Sequence, residues 1–214
     1  MTKFLTLLTL ISIFCSCEKN LTTTKTPVLI AYEDTSKSEG WGFKDTSGQI
    51  VIPPQYSAVF EDSFINDIAF VVKKSEDKQD TENGILAIDK QNKFILKPFI
   101  FDNGPDYLQE GLFRFTENGK MGFADVNGKK VIKAKYTFAE AFQEGFAAFC
   151  EGCKKENMGE HWRMVGGKWG FIDKNGKEIL SADYEEVSNF KDGVAEVTKK
   201  GQKMRINPKG ETIK

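Results

Sequence analysis

Apolar and polar residues alternate in short segments along most of the chain, and turn-forming residues separate these segments. In Trp169-Gly170-Phe171-Ile172 the two aromatic side chains share one face of an extended strand, while Ile172 points to the other face. The dipeptide Asn175-Gly176 follows, and a second alternating segment begins at residue 178. Because both residues of an Asn-Gly pair tolerate positive φ, the pattern predicts a β-hairpin with a two-residue turn.

This strand pair recurs when the chain is compared with itself. Copies start near residues 41, 85, 121, 169 and 204, the second decayed and the fifth truncated. A further apolar run follows the strand pair in four copies, each after a turn position: Asp67, Gly111, Gly145 and Gly193. We therefore predict units of three antiparallel strands, here called the WG strand, the returning strand and the third strand. Gly170, inside the WG strand, predicts close approach of a neighbouring backbone or side chain.

The repeat resembles a known family. Lys168-Trp169-Gly170-Phe171 and the downstream Asp192-Gly193-Val194-Ala195 resemble the WG-containing repeat, also called the KWG repeat. The resemblance extends over about residues 28–213 and implies no particular activity. Together with the strand pattern, it predicts an all-β fold in which tandem three-stranded antiparallel repeats form a curved meander.

The aromatic residues of the motif are predicted to form the core. A single unit cannot bury its aromatic face, whereas neighbouring units stacked on one another can. Large aromatic side chains are more often core residues than ligand contacts. We therefore assign the repeat core to Trp41, Phe43, Phe123, Trp169 and Phe171.

The two ends of the repeat array suggest a way to close it. Residues 28–32 look like a third strand that precedes the first WG strand, and residues 204–213 supply two strands that lack a third. If the first segment completed the last unit, the array would close into a ring-like or propeller-like toroid without open edges. An open, curved meander is the alternative, and pairing of residues 28–32 with the first WG strand alone would exclude closure.

The amino terminus has the pattern of an export signal. Lys3 precedes an apolar run at residues 4–14, which is too short to span a bilayer but typical of a signal peptide. The run ends in Phe14-Cys15-Ser16-Cys17, which resembles a bacterial lipobox with small Ser16 before the acceptor Cys17, although Phe14 departs from the commoner Leu.

This resemblance implies lipidation of Cys17 and a location in the bacterial cell envelope, on a membrane through the lipid anchor. We divide the chain into a signal peptide at 1–16, an anchor and flexible tether at 17–27 and a repeat domain at 28–214. A plain secretory signal is the alternative.

Composition and motifs exclude several function classes. Formal net charge is −1, so there is no basic excess of the kind that nucleic-acid binding requires. No phosphate-binding loop or serine nucleophile motif occurs, and we predict no catalytic residue, cofactor or metal. A carboxylate recurs at the hairpins, where we expect hydrogen bonds to the turn: Asp45, Asp89, Asp125 and Asp173.

Two insertions are candidate sites, because the intervals after the first and third unit starts are longer than the others. They occupy loops at residues 73–82 and 150–166, and insertions at one structural position project from one face. The first loop has mixed charge, which is typical of a solvated surface. A calcium-binding loop is the alternative, but the spacing of the carboxylates does not fit one.

The second loop contains both cysteines of the mature domain. For Cys150 and Cys153 we favour a local disulfide in an oxidising compartment over a redox dithiol, free thiols or a zinc site that includes His161. His161, Trp162 and Arg163 are candidate contacts for a glycan or a protein partner, and a loop-packing role for Trp162 is the alternative.

The sequence thus favours a non-enzymatic envelope lipoprotein that presents a β-repeat scaffold for binding a protein or an envelope glycan. An enzyme or enzyme accessory that uses the inserted loops is one alternative. A purely structural envelope protein is the other.

The lipid anchor can be tested by substitution. Cys17→Ser should abolish incorporation of a palmitate analogue and move the protein from the membrane fraction to the soluble fraction, because the thiol that carries the lipid is lost. Cys15→Ser is the matched control and should leave both properties unchanged. Labelling that survives in the Cys17→Ser variant would contradict the assignment.

Overall fold

The computed structural model describes residues 28–36, 40–64, 66–74, 84–159 and 161–213. The predicted signal peptide, Cys17 and the tether, together with most of the 73–82 insertion, lie outside these residues. No helix in the described part of the chain is long and apolar enough to cross a bilayer. The strands are β1 Leu29–Asp34, β2 Gly40–Asp45, β3 Ile50–Val59, β4 Ile68–Lys73, β5 Ile85–Asp89, β6 Phe94–Pro98, β7 Ile100–Phe101, β8 Gly104–Pro105, β9 Leu112–Glu117, β10 Lys120–Asp125, β11 Lys130–Tyr136, β12 Phe138–Ala139, β13 Phe146–Glu151, β14 Lys154–Met158, β15 His161–Val165, β16 Lys168–Asp173, β17 Glu178–Tyr184, β18 Glu186–Val187, β19 Ala195–Lys199, β20 Gln202–Ile206 and β21 Thr212–Ile213.

The strands follow one another in space almost as they do in sequence. Strands β1 to β6 and β9 to β11 form one nine-stranded sheet, and two four-stranded sheets follow, β12-β13-β16-β17 and β18-β19-β20-β21. Strand pairs β7–β8 and β14–β15 form separate two-stranded ribbons. Every pair of neighbouring strands is antiparallel, which confirms the predicted all-β meander.

In the first four units, the chain of the returning strand pairs first with the WG strand and then with a strand of the following set, whereas β21 of the fifth unit pairs with β20 alone. β11 pairs with β10 up to Tyr136, and the chain then continues as β12, which pairs with β13 of the following strand set. β17 and β18 repeat this arrangement. In β3 the change of partner occurs within one strand. Its first part pairs with β2, and from Tyr56 onward it pairs with β4. Consecutive units are therefore joined through a shared strand.

The glycine of the WG strand is required by a bulge in the returning strand. Trp169 pairs with Tyr184 and Phe171 with Leu180, so a step of two residues along β16 corresponds to a step of four along β17. A Cβ atom on Gly170 would lie 2.5 Å from the carbonyl oxygen of Leu180. Gly42 and Gly122 show the same 2.5 Å approach, to the carbonyl oxygens of Ile52 and Ile132. The predicted backbone contact at Gly170 is thus a consequence of the bulge.

The hairpin turns differ from the predicted two-residue type. Asp173 N donates to Lys177 O at 2.9 Å, which leaves three residues in the loop, and only the glycine of Asn175-Gly176 has positive φ, at 76°. The carboxylate of Asp173 accepts hydrogen bonds from the backbone nitrogens of Asn175 and Lys177, both at 2.9 Å. This Asp-anchored loop with a glycine bulge replaces the predicted turn. The same carboxylate contacts occur at Asp45, Asp89 and Asp125.

In two of the turns that lead from a third strand into the next WG strand, both turn residues have positive φ. Asn118 and Gly119 have φ of 52° and 70°, and Lys200 and Gly201 have φ of 52° and 72°. These turns are the two-residue connections that suit the twist of antiparallel strands.

The core is a series of aromatic pairs, one in each well-formed unit. Phe43 packs edge-on against Phe64, with ring centroids 4.9 Å apart, and Phe123 packs similarly against Phe142 at 4.7 Å. Phe171 lies 4.8 Å from Phe190 in a tilted arrangement. These six rings are buried. Trp169 is buried as well, whereas Trp41 is only partly buried at the edge of its cluster.

Carboxylates at the third-strand turns link successive units. The two carboxylate oxygens of Glu144 accept hydrogen bonds from the backbone nitrogens of Asp192 and Gly193, at 2.6 and 2.8 Å. One unit earlier, Glu110 accepts from Gly145 N at 3.0 Å and pairs with Lys174. Desolvation by burial raises the pKa of Glu110. Hydrogen bonds from Lys174 and from the Gly145 amide, together with the charge of Lys174, lower it by a larger amount, so the pKa of Glu110 lies below its ordinary value.

The ring hypothesis is wrong in the described part of the chain. β1 pairs with β2 along its whole length, from Leu29 opposite Asp45 to Asp34 opposite Gly40. The other side of β1 is occupied by residues 62–64, through Ala31 N to Asp62 O at 2.8 Å and Phe64 N to Leu29 O at 3.2 Å. Residues 62–64 thus cover this side of β1 from Leu29 to Ala31, and β21 pairs with β20 alone. The array is an open meander.

The bulge contact predicts a large effect from one methyl group. Gly170→Ala should destabilise the protein by about 2–4 kcal/mol, because the new Cβ must displace the backbone of β17. Gly104→Ala is the matched control: its Cβ would meet the Phe60 ring at 3.6 Å and the carbonyl oxygen of Phe101 at 4.0 Å, both ordinary contact distances, and the expected cost is below about 1 kcal/mol. Urea unfolding midpoints measure both changes, and equal losses in the two variants would contradict the bulge contact.

Candidate ligand groove

The second insertion is a β-ribbon rather than the predicted loop. β14 and β15 pair from Lys154 opposite Val165 to Met158 opposite His161. At the base of this ribbon, Glu151 pairs with Lys168, the last pair between β13 and β16 of the four-stranded sheet. The ribbon thus replaces the two-residue turn that joins the third strand to the next WG strand at Asn118-Gly119 and Lys200-Gly201. We call it the second ribbon.

A first ribbon, formed by β7 and β8, was missed by the sequence analysis. Its turn residues Asp102 and Asn103 have φ of 49° and 64°. The interval between unit starts hides this insertion because the second unit has a short returning strand, β6, which ends at Pro98. The tripeptide Asp102-Asn103-Gly104 is a turn signal that could have revealed it.

The two ribbons flank a groove with a volume of about 1010 Å³. Its aromatic surface comes from three strand sets: Phe99, Phe101, Phe138, Trp162 and Trp169. The Trp162 ring meets Phe138 and Phe99 edge-on, with centroid distances of 5.7 and 6.4 Å. These contacts seat the second ribbon against the body of the repeat array.

The three candidate binding residues all line this groove. Trp162 packs against the phenylalanines, as its loop-packing alternative predicts, and it remains 38% exposed. Lys155 Nζ lies 4.9 Å from the centroid of its ring. Arg163 is exposed and forms an ion pair with Glu156 at 2.9 Å, and His161 is exposed at the tip of the ribbon.

The two cysteines lie at the base of the second ribbon. Cys150 and Cys153 are joined by a disulfide, with their Cα atoms 6.1 Å apart, and both are buried. Cys150 faces Trp169 across the sheet, whereas His161 lies at the opposite end of the ribbon. A zinc site from these three residues is therefore not formed. No cluster of three or more metal-ligating side chains occurs among the described residues.

A buried ion pair fixes the first ribbon to the sheet. Arg114, 4% exposed, donates from Nε to Asp106 Oδ2 at 2.9 Å and from Nη2 to Oδ1 at 2.6 Å. Its Nη1 donates to Ala139 O at 3.2 Å, and its guanidinium carbon lies 4.6 Å from the Phe99 ring centroid. Sequence reasoning missed this pair. The sequence feature that could have indicated a buried ion pair is the arginine within the apolar run Leu112-Phe113-Arg114-Phe115.

Glu140 lies beside this pair, with its carboxylate half-exposed in the groove. Glu140 Oε2 is 3.8 Å from Arg114 Nη1. Partial burial raises the pKa of Glu140, Arg114 lowers it and Asp106 raises it again, so the pKa lies above its ordinary value. Because Asp106 is engaged by Arg114 through three hydrogen bonds, Glu140 and Asp106 do not form a free acid–base pair.

The charged groups of the groove are mainly acidic. Its four carboxylates belong to Asp102, Glu140, Glu185 and Glu186, whereas its two guanidinium groups belong to Arg114 and Arg163. Both guanidinium groups already have carboxylate partners, which are Asp106 and Glu156. Of the four carboxylates, Glu185 lies 3.6 Å from a lysine, Lys168. The groove therefore offers a ligand aromatic surface together with net negative charge.

The buried pair should contribute far more to stability than a surface pair. Asp106→Asn should cost about 3–5 kcal/mol, since it removes the charge that is paired with buried Arg114 and leaves only the more distant Glu140 carboxylate, 3.8 Å from Arg114 Nη1. Glu117→Gln, which breaks the exposed pair with Lys130, is the control and should cost less than about 1 kcal/mol. Urea denaturation of both variants tests this, and similar small losses would show that Arg114 is solvated.

Comparison with known proteins identifies the repeat. The family model for the WG containing repeat matches four times, at residues 41–75, 87–120, 121–154 and 169–202, which together make up more than half of the chain. No curated protein and no solved structure matches. Most of the second ribbon falls between the third and fourth matches, as expected for an insertion. The chain belongs to the WG containing repeat family.

Proposed function

We propose that this protein is a non-enzymatic lipoprotein of the bacterial cell envelope whose groove binds a ligand outside the membrane. The observation that carries the proposal is the convergence of two insertions. The first ribbon comes from the second unit, the second ribbon follows the third unit, and both line the same groove. Insertions of a repeat array that meet on one face commonly form its binding surface.

The dimensions and lining of the groove suit an extended ligand. Its volume of about 1010 Å³ is at the upper end of the range for small-molecule pockets. It combines partly exposed aromatic rings with charged groups, as protein and glycan binding sites do. Trp162 is the central residue, because it is exposed to the groove and supported from behind by Phe99 and Phe138.

The membrane location is supported by the sequence. Cys17 in a lipobox-like context would carry the lipid, and residues 18–27 would act as a polar tether between the membrane and the repeat domain. More than one acyl chain is needed for stable anchoring, and lipobox-type modification normally supplies several. The groove would then face partners close to the membrane surface.

An enzymatic role is supported only by Glu140, a carboxyl group with a raised pKa in a groove. The engagement of Asp106 by Arg114 weakens this alternative, because it removes the nearest second carboxylate from proton transfer. A purely structural role would not require the exposed aromatic and acidic lining. Binding is therefore the function that the geometry favours.

A substitution in the groove tests the proposal. The purified full chain is screened in detergent against panels of peptides and envelope glycans, and the ligands found are measured by calorimetry. Trp162→Ala should weaken binding by about tenfold or more, as expected for a central aromatic contact.

Phe94→Ala is the matched control, since Phe94 is 53% exposed and does not line the groove. It should change affinity by less than about twofold. Circular dichroism verifies that both variants fold. A panel without any ligand, or a ligand that tolerates Trp162→Ala, would refute the groove as the binding site.

A further inference from the structure

The groove is bounded by the edges of strands. Side chains of a strand point alternately to opposite faces, so a strand that presents one face contributes every second residue to a surface. Here the lining residues are consecutive: they are 161–166, which include β15, 99–102, which include β7, and 185–187, which include β18. Because consecutive residues line the groove, these strands present an edge to it rather than one face. Their main-chain groups therefore point toward the groove.

These edges lack a strand partner in the described residues. β15 pairs only with β14, β7 only with β8, and β18 only with β19. An open edge presents backbone N–H and C=O groups that can pair with another strand. β15 is five residues long, which is enough for an added strand, whereas β7 and β18 have two residues each. The main-chain chemistry of this groove therefore fits an extended peptide.

The charge of the groove selects the side chains of such a peptide. Asp102, Glu140 and Glu186 line it, and its only cationic side chains are the ion-paired Arg114 and Arg163. Aromatic rings next to carboxylates attract cations both through the ring faces and through charge complementarity. Lysine and arginine side chains are the peptide groups that meet both conditions.

We infer that the ligand is an extended, basic peptide segment of a partner protein, which adds as a strand to the open edge of β15. Its main chain hydrogen-bonds to β15, as in strand-addition complexes, and its Lys or Arg side chains reach Glu140 and Glu186. The inference rests on the proposed function, because it assigns a ligand class to the same groove. A neutral glycan would use the aromatic surface without requiring either the edge or the charge.

Three synthetic probes separate these requirements. The first is a capped octapeptide that alternates Arg and Val, the second alternates Glu and Val, and the third is the Arg–Val peptide with every residue N-methylated, which blocks both of its edges. N-methylation removes main-chain donors but retains the charge. Binding of each probe to the full chain in detergent is measured by calorimetry at 0.05 and 0.15 M salt, both chosen near or below physiological ionic strength.

The Arg–Val peptide should bind at least about tenfold more tightly than the Glu–Val peptide, and the preference should fall with added salt. N-methylation should weaken binding by about tenfold or more, because strand addition depends on main-chain hydrogen bonds. Glu140→Gln should weaken binding of the Arg–Val peptide by about threefold or more. The control Glu178→Gln, at an exposed position of β17 outside the groove, should have less than about a twofold effect.

Each other outcome counts against the inference. Equal binding of the N-methylated peptide would refute strand addition, and equal binding of the acidic peptide would refute the charge selection. Binding of a neutral glycan that is lost in Trp162→Ala, without binding of the Arg–Val peptide, would overturn the inference but leave the proposed function standing. If neither the peptides nor the glycans bind, both fall together.

Discussion

The close approach of each returning strand to the glycine of its WG strand organises the rest of this structure. At Gly42, Gly122 and Gly170 a carbonyl oxygen of the bulged strand occupies the space that a side chain would need. The bulge turns the returning strand so that its continuation pairs with the next set of strands. It also aligns a tyrosine with the first residue of the motif, as in the pairing of Trp169 with Tyr184. One contact thus determines local register and the direction of the array.

The units are further joined by side chains at their turns. Glu110 and Glu144 each hold the turn of the following unit through backbone amides. On another surface, Tyr56 OH donates to Asn92 Oδ1 at 2.5 Å, and Gly176 packs closely against Ile132 of the preceding unit. Because these contacts act between nearest neighbours, turns that project away from them can accept extra residues. The second ribbon occupies such a turn, between Glu151 and Lys168.

Most of the fold could be predicted from the sequence because the repeat is local. Strand alternation, turn residues and the aromatic spacing act within about 35 residues, and they gave the units, their order and their core. The failures involve long-range or compensating effects. Ring closure depended on the edge of β1, which residues 62–64 cover. The first ribbon was hidden by a shortened strand, and the Arg114–Asp106 pair depends on where that ribbon places Asp106. Of the groove, only His161, Trp162 and Arg163 were predicted, since the opposite wall comes from a distant unit.

The origin of the two ribbons has a mechanical consequence for the groove. Its walls are attached to different repeats, so a small rotation of one repeat relative to its neighbour would change the distance between the ribbons. Arg114 spans this junction, because its guanidinium group holds Asp106 beside the first ribbon and the carbonyl oxygen of Ala139 in the next strand set. A force that twists the array would therefore change the hydrogen bonds of this side chain together with the width of the groove.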